Sequence, residues 1–387
     1  MQPSRLGVRC CRFSPDASKL VTSGDDDSAC IWNLGTRSLI KTYRAAEHTV
    51  FSSEFTPDGS NLITTDANGD IRLWDVNSKK HNKPVFIVEE AHDLGVLCCE
   101  FAPLFQDNAG ETSLDKEFIL ATGGNDDCVK IWSVITGLNT KIISRKKISG
   151  HHNSAVMCLR FSKDSKYLAS SGGDKLACIY EVETGNVIQK MTPHDRYIGS
   201  CAFSQTGTFF ATGSNDKSVA IFELEEYKSS RNNFQGTVHE NRHRLTVLAG
   251  REDAVLINTI PAHAGDINDV VFVNNHDFVT CSSDKAVKLW KNTADLDRII
   301  EQRSYAMYSM EFCKSRNLLL TSGTDGQVVI WDTVSWIKLA TVIAPANAAI
   351  RTCTVSPNAL YLLLAGNFVL RFNFLLIKMD LKKKFVH

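Results

Sequence analysis

The sequence has no excess of charge of either sign, since its 387 residues hold 43 Lys and Arg against 43 Asp and Glu. This balance argues against a basic field that would attract nucleic acid or an anionic membrane. The N-terminus, Met1-Gln2-Pro3-Ser4, lacks a positive region followed by an apolar stretch, which predicts no signal peptide. The apolar run 359–377 is interrupted by Asn367, Arg371 and Asn373 and is better explained as two buried strands than as a membrane span. We therefore expect a soluble cytoplasmic protein, with the nucleus open as a second location and no nucleic acid or membrane partner.

The sequence also lacks the motifs that hold metals and cofactors. None of its twelve cysteines forms a Cys-x-x-Cys pair, and neither GxGxxG nor GKS/T occurs. The turn carboxylates Asp25, Asp26 and Asp27 have no further ligands beside them, which indicates a solvated turn rather than a calcium site. Free Cys behaves as a small buried hydrophobe, and four cysteines lie two residues before the end of a short apolar strand: Cys11, Cys99, Cys201 and Cys353. The sequence thus predicts packed, reduced thiols, no metal and no cofactor.

A unit of about 41 residues recurs along the chain. It contains a strand ending in Phe, a second strand with a hydroxyl residue, a turn with Asp, and a third strand ending in an aromatic; the first unit spans 8–34. This length is typical of a propeller blade of four strands. Two longer intervals contain insertions, at 104–117 and 225–254, which we interpret as solvated loops, with partner-binding arms as the alternative. The closing aromatics are Trp32, Trp74, Trp132, Tyr180, Phe222, Trp290, Trp331 and, weakly, Phe372.

Three polar positions recur within the units. An Asp six residues before the aromatic occurs in six units, and Asn68 takes its place in the second unit. A His stands nine residues before the Phe in four units, and the first, seventh and eighth units lack it. A buried Trp N–H needs an acceptor, and a His between a hydroxyl and a carboxylate has both nitrogens satisfied, so each set predicts an internal network. The complete sets are His92, Thr122, Asp126 and Trp132, and His263, Thr280, Asp284 and Trp290.

These positions resemble the WD40 repeat, and the resemblance covers nearly the whole chain. It implies an all-β fold, a WD40 β-propeller of seven or eight four-stranded blades. Eight sets of strands favour eight blades, with residues 375–386 as the outer strand of the last. We expect a single propeller over residues 1–387.

The first half of the chain has a closer resemblance. Residues 1–222, above all 89–101 and 124–132, resemble the WD-repeat portion of the WD-repeat, sterile-alpha-motif and U-box domain-containing proteins, which are of the ubiquitin-ligase class. After residue 225 the sequence has neither a helical bundle nor a U-box, only three further strand-rich units. The resemblance therefore does not carry ligase activity to this chain.

The functional prediction is a non-enzymatic scaffold that binds a peptide or protein at one face. The His, hydroxyl and Asp sets share residue types with hydrolase triads, but their recurrence in one unit after another indicates a structural role. The alternative is the substrate-recognition part of a ubiquitin ligase. Two series of turn residues are expected at one rim of the propeller: Thr49, Gly95, Ala155, Tyr197, Asp266 and Ala306, with Asp25, Asn125, Asn215, Ser283 and Thr324. From these turns we select as candidate binding residues Arg196, Tyr197, Asp266, Asn125, Asn215 and Tyr305, although Tyr197 could instead pack against the neighbouring blade.

Overall fold

The structure is a computed structural model. It describes residues 8–44, 48–78, 83–103, 115–224, 254–291, 295–344, 349–366 and 374–378. These residues form eight antiparallel sheets, numbered here in chain order, and one short 3-10 helix at Lys314–Arg316. Within each sheet the strands lie side by side in the order in which they occur along the chain. The prediction of an all-β propeller fold is therefore confirmed.

Sheets 1 to 4 contain four strands each. Their strands are β1 (Val8–Phe13), β2 (Lys19–Gly24), β3 (Ser28–Asn33) and β4 (Ser38–Arg44); β5 (Val50–Phe55), β6 (Asn61–Asp66), β7 (Ile71–Asp75) and β8 (Phe86–Val88); β9 (Val96–Phe101), β10 (Lys116–Gly124), β11 (Val129–Thr136) and β12 (Lys141–Ile148); and β13 (Val156–Phe161), β14 (Tyr167–Gly172), β15 (Ala177–Glu181) and β16 (Val187–Met191).

Sheets 5 to 7 also contain four strands, and sheet 8 contains three among the described residues. Their strands are β17 (Ile198–Phe203), β18 (Phe209–Ser214), β19 (Ser218–Leu224) and β20 (Ala254–Pro261); β21 (Ile267–Phe272), β22 (Phe278–Ser282), β23 (Ala286–Lys291) and β24 (Asp295–Gln302); β25 (Met307–Cys313), β26 (Leu318–Gly323), β27 (Gln327–Asp332) and β28 (Lys338–Ile343); and β29 (Ile350–Val355), β30 (Tyr361–Gly366) and β31 (Phe374–Lys378).

A hydroxyl residue shapes the turn after the first strand in several sheets. The backbone N–H of Ser162 donates to the carbonyl of Tyr167 at 2.8 Å, and its hydroxyl accepts the N–H of Tyr167 at 2.9 Å. Asp164 accepts the hydroxyl hydrogen at 2.6 Å, so this buried serine is fully hydrogen-bonded. The Ser-x-Asp pattern therefore fixes a tight connection between the first and second strands.

The first strands of the eight sheets form the inner wall of a ring. Each contacts the first strand of the next sheet, and β29 of sheet 8 contacts β1 of sheet 1. Apolar clusters fill the spaces between neighbouring sheets, and Leu363 of sheet 8 packs with Cys11, Leu20 and Trp32 of sheet 1. Closure of the ring covers sheet faces that would otherwise be exposed. The described residues thus give seven four-stranded sheets and one three-stranded sheet, which is compatible with the larger of the two predicted blade numbers.

Sheet 8 differs from the prediction. In sheet 1 the closing aromatic Trp32 pairs with Leu20, whereas in sheet 8 the corresponding Leu362 pairs with Ile377. The assignment of Phe372 to this position is therefore wrong, and residues 375–378 lie in the third strand instead of the outer one. The cause is the connection between β30 and β31, which is longer than the three-residue turn of sheet 1. Phe372 itself and residues 379–386 lie outside the described residues.

The two predicted insertions fall almost wholly outside the described residues. Of 104–117, only residues 115–117 are described, and Lys116 and Glu117 belong to β10. Of 225–254, only Ala254 is described, and it begins β20. The predicted insertions therefore extend into strands at their C-terminal ends. Among the described residues no helix has the length and apolar character needed to cross a bilayer.

Candidate functional site

The predicted His, hydroxyl, Asp and Trp sets come together inside the sheets. In sheet 3 the indole N–H of Trp132 donates to Thr122 Oγ1 at 2.8 Å, and that hydroxyl lies 2.8 Å from His92 Nε2. His92 Nδ1 lies 2.7 Å from Asp126 Oδ1. Because Thr122 accepts from Trp132, its own hydrogen can be donated to Nε2, which leaves Nδ1–H to donate to the carboxylate. The second complete set has the same distances within 0.2 Å in sheet 6: His263, Thr280, Asp284 and Trp290.

The protonation of these sets fits a structural role. Burial lowers the pKa of His92, which keeps its ring neutral at neutral pH. Burial opposes ionisation of Asp126, but hydrogen bonds from the ring of His92 and from the backbone prevail and lower its pKa. Thr122 has no exposed surface, so it cannot act as a nucleophile on an external substrate.

Two further sheets carry variants of the set. In sheet 4 the hydroxyl of Tyr180 lies 3.0 Å from Ser170 Oγ and so keeps the link that Trp makes elsewhere. In sheet 5 Phe222 offers no such group, although His194 still lies 2.8 Å from both Thr212 and Asp216. Replacing the aromatic therefore removes the link only where the new ring has no polar atom.

An arginine occupies the histidine position of sheet 7. Arg303 stands nine residues before Phe312, and its Nη1 donates to Asp325 Oδ1 at 3.0 Å. Its Nε donates to Glu301 at 2.7 Å, and Glu301 also accepts the hydroxyl hydrogen of Thr321 at 2.7 Å. Sequence reasoning recorded only the absence of His here. The constant spacing of nine residues was the signal that could have identified Arg303.

In sheet 2 the carboxylates of the turn do not stand at the predicted position, six residues before the closing aromatic. Asn68 does not replace the turn Asp; its backbone N–H instead donates to Asp66 Oδ1 at 3.0 Å. Asp66 is fully buried and forms an ion pair with Arg72, which also bonds Asp70 at 2.7 Å. The negative charge of this turn therefore comes from Asp66 and Asp70.

The two series of predicted rim residues lie together at the end of the ring where the inner strands begin. In sheet 5 the backbone N–H of Asn215 donates to the carbonyl of Tyr197 at 3.2 Å. The matching bond in sheet 3 joins Asn125 to Gly95 at 3.0 Å. The same bond links Ser283 to Asp266, Thr324 to Ala306, Gly173 to Ala155 and Ala67 to Thr49. In sheet 1, Asp25 forms an ion pair with Arg9 at 2.7 Å.

The candidate binding residues differ in how free they are. Tyr197 is 41% exposed and Tyr305 is 57% exposed, so neither ring is buried against a neighbouring sheet. Arg196 and Asn125 are also exposed. Asn215 Nδ2 donates to Asp266 Oδ2 at 2.8 Å, and both residues are half-buried. This pair therefore joins sheets 5 and 6, whereas the tyrosines and Arg196 remain open to solvent.

Every inner strand carries a β-bulge at its second residue, a feature that sequence reasoning missed. In sheet 4, for example, Val156 pairs with Gly172 and Cys158 with Ser171, which leaves Met157 between them unpaired. A bulge turns the extra residue away from the ladder, and on an inner strand the open side faces the space that the ring encloses. The bulged residues on β1 to β25 are Arg9, Phe51, Leu97, Met157, Gly199, Asn268 and Tyr308, and we call these seven the mouth ring; Arg351 holds the same backbone position on β29.

Charged residues line the same central space three positions further along the inner strands. Arg12 and Arg160 are exposed there, and Glu54, Glu100 and Glu311 are half-buried. Burial raises the pKa of Glu54 to about 8 and that of Glu100 to about 7. The interior of the ring is therefore charged below a mouth that carries apolar or aromatic side chains in sheets 2, 3, 4 and 7.

All twelve cysteines are free thiols, and most of them are buried. Among the described residues no three His, Cys, Asp or Glu side chains gather in a group that could hold a metal ion.

Comparison with known proteins identifies the repeat. The sequence model of the family described as WD domain, G-beta repeat matches residues 3–33, 37–75, 143–181, 185–223, 254–291 and 298–332, more than half of the chain. The fold is similar to the crystal structure of the computationally designed Ika8 protein, with a TM-score of 0.69, 15% identity and 97% of each chain covered.

Several named proteins share parts of the sequence. The WD repeat, SAM and U-box domain-containing protein 1 of Danio rerio is 36% identical over 197 residues, which cover 50% of this chain and 39% of that protein. The nuclear distribution protein PAC1 of Komagataella phaffii is 27% identical over 37% of this chain and 28% of its own length. The probable cytosolic iron-sulfur protein assembly protein CIAO1 homolog of Caenorhabditis elegans is 32% identical over 28% of this chain and 33% of its own length. This chain thus aligns with well under half the length of each relative. The family match and the fold together show that the chain belongs to the WD-repeat family (WD domain, G-beta repeat).

Proposed function

We propose that this chain is a non-catalytic scaffold that binds a peptide or protein segment at the end of the propeller that carries the mouth ring. Holding other proteins is the general role of the family. The observation that carries the proposal is the bulge repeated in all eight inner strands, which places Arg9, Phe51, Leu97, Met157 and Tyr308 at the mouth in sheets 1 to 4 and 7.

The chemistry of the mouth favours an apolar anchor in the ligand. Phe51, Leu97 and Met157 stand on three successive sheets, and Met157 is 43% exposed. The Arg9 guanidinium lies 5.8 Å from the centre of the Phe51 ring. Exposed apolar side chains that are grouped at one end of a propeller, with polar loops around them, are typical of a protein-binding surface.

The rim beside this group favours a carboxylate or phosphate near the anchor. Arg196 and Tyr197 are adjacent and exposed, and Tyr305 and Tyr308 add two further phenol rings on sheet 7. Tyr supplies contact area at low entropic cost, and Arg can form two parallel hydrogen bonds with a planar anion. We therefore propose an acidic or phosphorylated segment with an aromatic or aliphatic side chain.

The test is selection of peptides from a random displayed library, followed by affinity measurement on variants. We expect Arg196→Ala/Tyr197→Ala and Met157→Ala each to weaken the selected peptides by roughly tenfold or more, as for hot-spot residues. Leu138→Ala is the matched control, because Leu138 is 77% exposed in the turn between β11 and β12, at the opposite end of the ring. Equal binding by wild type and both mouth variants would place the binding surface elsewhere.

A second candidate function is substrate recognition for a ubiquitin ligase. The observation that favours it is the 36% identity to the zebrafish WD repeat, SAM and U-box protein over 197 residues. The test is immunoprecipitation of the tagged chain from cells, followed by a ubiquitin-transfer assay on the eluate. Transfer that is lost with the mouth variants would support it, and an inactive eluate that still contains bound partners would exclude it.

Two broader statements belong to the same proposal. We propose a cytoplasmic location, with the nucleus as the alternative, and imaging of a tagged chain tests this. We also propose that residues 1–387 form a single propeller domain, which limited proteolysis would contradict by releasing two stable folded fragments.

A further inference from the structure

Two cysteines meet where the inner strands of sheets 4 and 5 adjoin. Cys158 lies on β13 and Cys201 on β17, and their sulfur atoms are 3.5 Å apart. Both side chains are buried, with 7% and 2% exposure. Their neighbours Met157 and Arg160 are exposed to the central space, so a small molecule in that space comes close to Cys158.

The corresponding contact between the inner strands of sheets 1 and 2 has different residues. At the joint of sheets 1 and 2, Cys10 donates to the carbonyl of Ser53 at 3.4 Å, and the Ser53 hydroxyl meets Ser23 Oγ at 2.9 Å. Cys158 occupies the position of Cys10, and Cys201 occupies the position of Ser53. The Ser53 hydroxyl between sheets 1 and 2 is thus replaced by the Cys201 thiol between sheets 4 and 5.

The surroundings favour oxidation of Cys158. The hydrogen bond from the Cys201 thiol lowers the pKa of Cys158, and the Arg160 guanidinium lowers it further, against the effect of burial. Glu100 and Asp269 also face this thiol, but burial raises the pKa of each to about 7, which reduces their negative charge. A thiolate beside a cation and a second thiol is the arrangement of an oxidation-sensitive cysteine pair.

One hydroxyl group lies next to the pair. It belongs to Ser171, which pairs with Cys158 across the β13–β14 ladder and forms a hydrogen bond with the Cys201 thiol. A hydroxyl beside the two sulfurs offers a donor to an oxygen atom added to Cys158, which lowers the cost of burying that oxygen.

We propose that Cys158 and Cys201 are a modification site at which hydrogen peroxide forms a disulfide joining sheets 4 and 5. The Cys158 thiolate attacks one oxygen of peroxide, the O–O bond breaks, and the hydroxide released takes up a proton to give water. The sulfur of Cys201 then attacks the sulfenic acid, the S–O bond breaks, and the leaving hydroxide takes the Cys201 proton as the second water. The two sulfurs lose two electrons, which peroxide accepts, and they close to about 2.05 Å.

The experiment treats the native full chain with peroxide, blocks the remaining thiols by alkylation, and maps tryptic peptides without reduction. Cleavage after Lys147, Arg160, Arg196 and Lys217 releases peptides 148–160 and 197–217, each with a single cysteine, so their linkage is unambiguous. We expect a loss of two of the twelve free thiols and a linked pair of these two peptides.

The variants separate this reaction from general oxidation. Cys98→Ser is the matched control, because Cys98 holds the same position on β9 but its thiol donates to the backbone carbonyls of Gly123 and Val156. It should form the linked peptide like wild type. In Cys201→Ser the linkage should disappear and Cys158 should be trapped by dimedone as sulfenic acid. Full alkylation of both peptides after peroxide, or linkages spread over many cysteines, would overturn the proposal.

Discussion

The carboxylate of Glu100 in sheet 3 accepts the backbone N–H of Phe161, in the inner strand of sheet 4, at 3.0 Å. Asp269 of sheet 6 accepts the N–H of Met310 in sheet 7 at 2.9 Å. An inner strand is an edge strand, so its outward N–H groups have no partner in their own sheet. The acidic residues of the central space therefore join neighbouring sheets.

Glu100→Ala should lower the free energy of unfolding by about 1–3 kcal/mol, because the N–H of Phe161 loses its acceptor. Urea denaturation followed by tryptophan fluorescence measures this change. Glu311→Ala is the control, because Glu311 holds the same position on β25 without a hydrogen bond among the described residues. Equal losses in the two variants would show that charge, rather than the hydrogen bond, is what matters.

Glu54 makes stability depend on pH. Burial raises its pKa from the ordinary 4.5 to about 8, with Arg12 opposing and Glu100 assisting the shift. Between these two pH values the folded state keeps a proton on Glu54 that the unfolded state has released. Protonation of Glu54 therefore stabilises the folded state fully below pH 4.5, and this stabilisation is lost as the pH rises to about 8. Glu54→Gln keeps an oxygen acceptor without this titration, so it should be more stable than wild type by about 1–2 kcal/mol at pH 8.5 and equal near pH 4. A constant difference between the two proteins over pH 4–9 would contradict this assignment.

Trp290→Ala should destabilise the protein by roughly 3–5 kcal/mol, as for large aromatic residues in cores. His263→Ala should cost about 1–3 kcal/mol, because Asp284 and Thr280 lose their shared partner. The midpoints of thermal and urea unfolding measure both. His48→Ala, at an exposed position, is the control and should melt like wild type. Wild-type melting of the first two variants would mean that the network does not stabilise the blade.

The sequence predicted the features that repeat with a constant spacing and missed those that depend on backbone geometry. The spacing placed His263 beside Asp284, and it placed Asn125 and Gly95 at the same rim. The bulge at Met157 cannot be seen in the alternation of apolar and polar residues, because it changes the direction of a side chain without changing its polarity. The prediction for Phe372 failed because a fixed period was carried across a connection of different length.

Arg303→Ala should lower the free energy of unfolding by about 3–5 kcal/mol, because it leaves the carboxylates of Glu301 and Asp325 without their cation. This loss is larger than the one expected for His263→Ala. Adding Glu301→Ala should restore part of the loss, and a double-mutant cycle from urea denaturation measures this coupling. Arg298→Ala is the control, since that side chain is exposed and pairs only at the surface with Asp297. If Arg303→Ala and Arg298→Ala unfold at the same denaturant concentration, the ion pairs of sheet 7 do not support the fold.

Gly69 and Gly150 both have a positive φ, +94° and +78°, yet only one of them is enclosed. A Cβ on Gly69 would lie 2.1 Å from the carbonyl oxygen of His92, whereas a Cβ on Gly150 would meet nothing within 4 Å. The backbone N–H of His92 donates to the carbonyl of Gly69 at 3.0 Å, so this turn of sheet 2 holds the loop that carries the histidine of sheet 3. Gly150→Ala should therefore cost about 1 kcal/mol, from φ alone. Gly69→Ala should cost at least about 3 kcal/mol, because the clash with backbone adds to the same strain. Thermal unfolding of the two variants measures the difference, and equal midpoints would show that the turn can move away from His92 without loss.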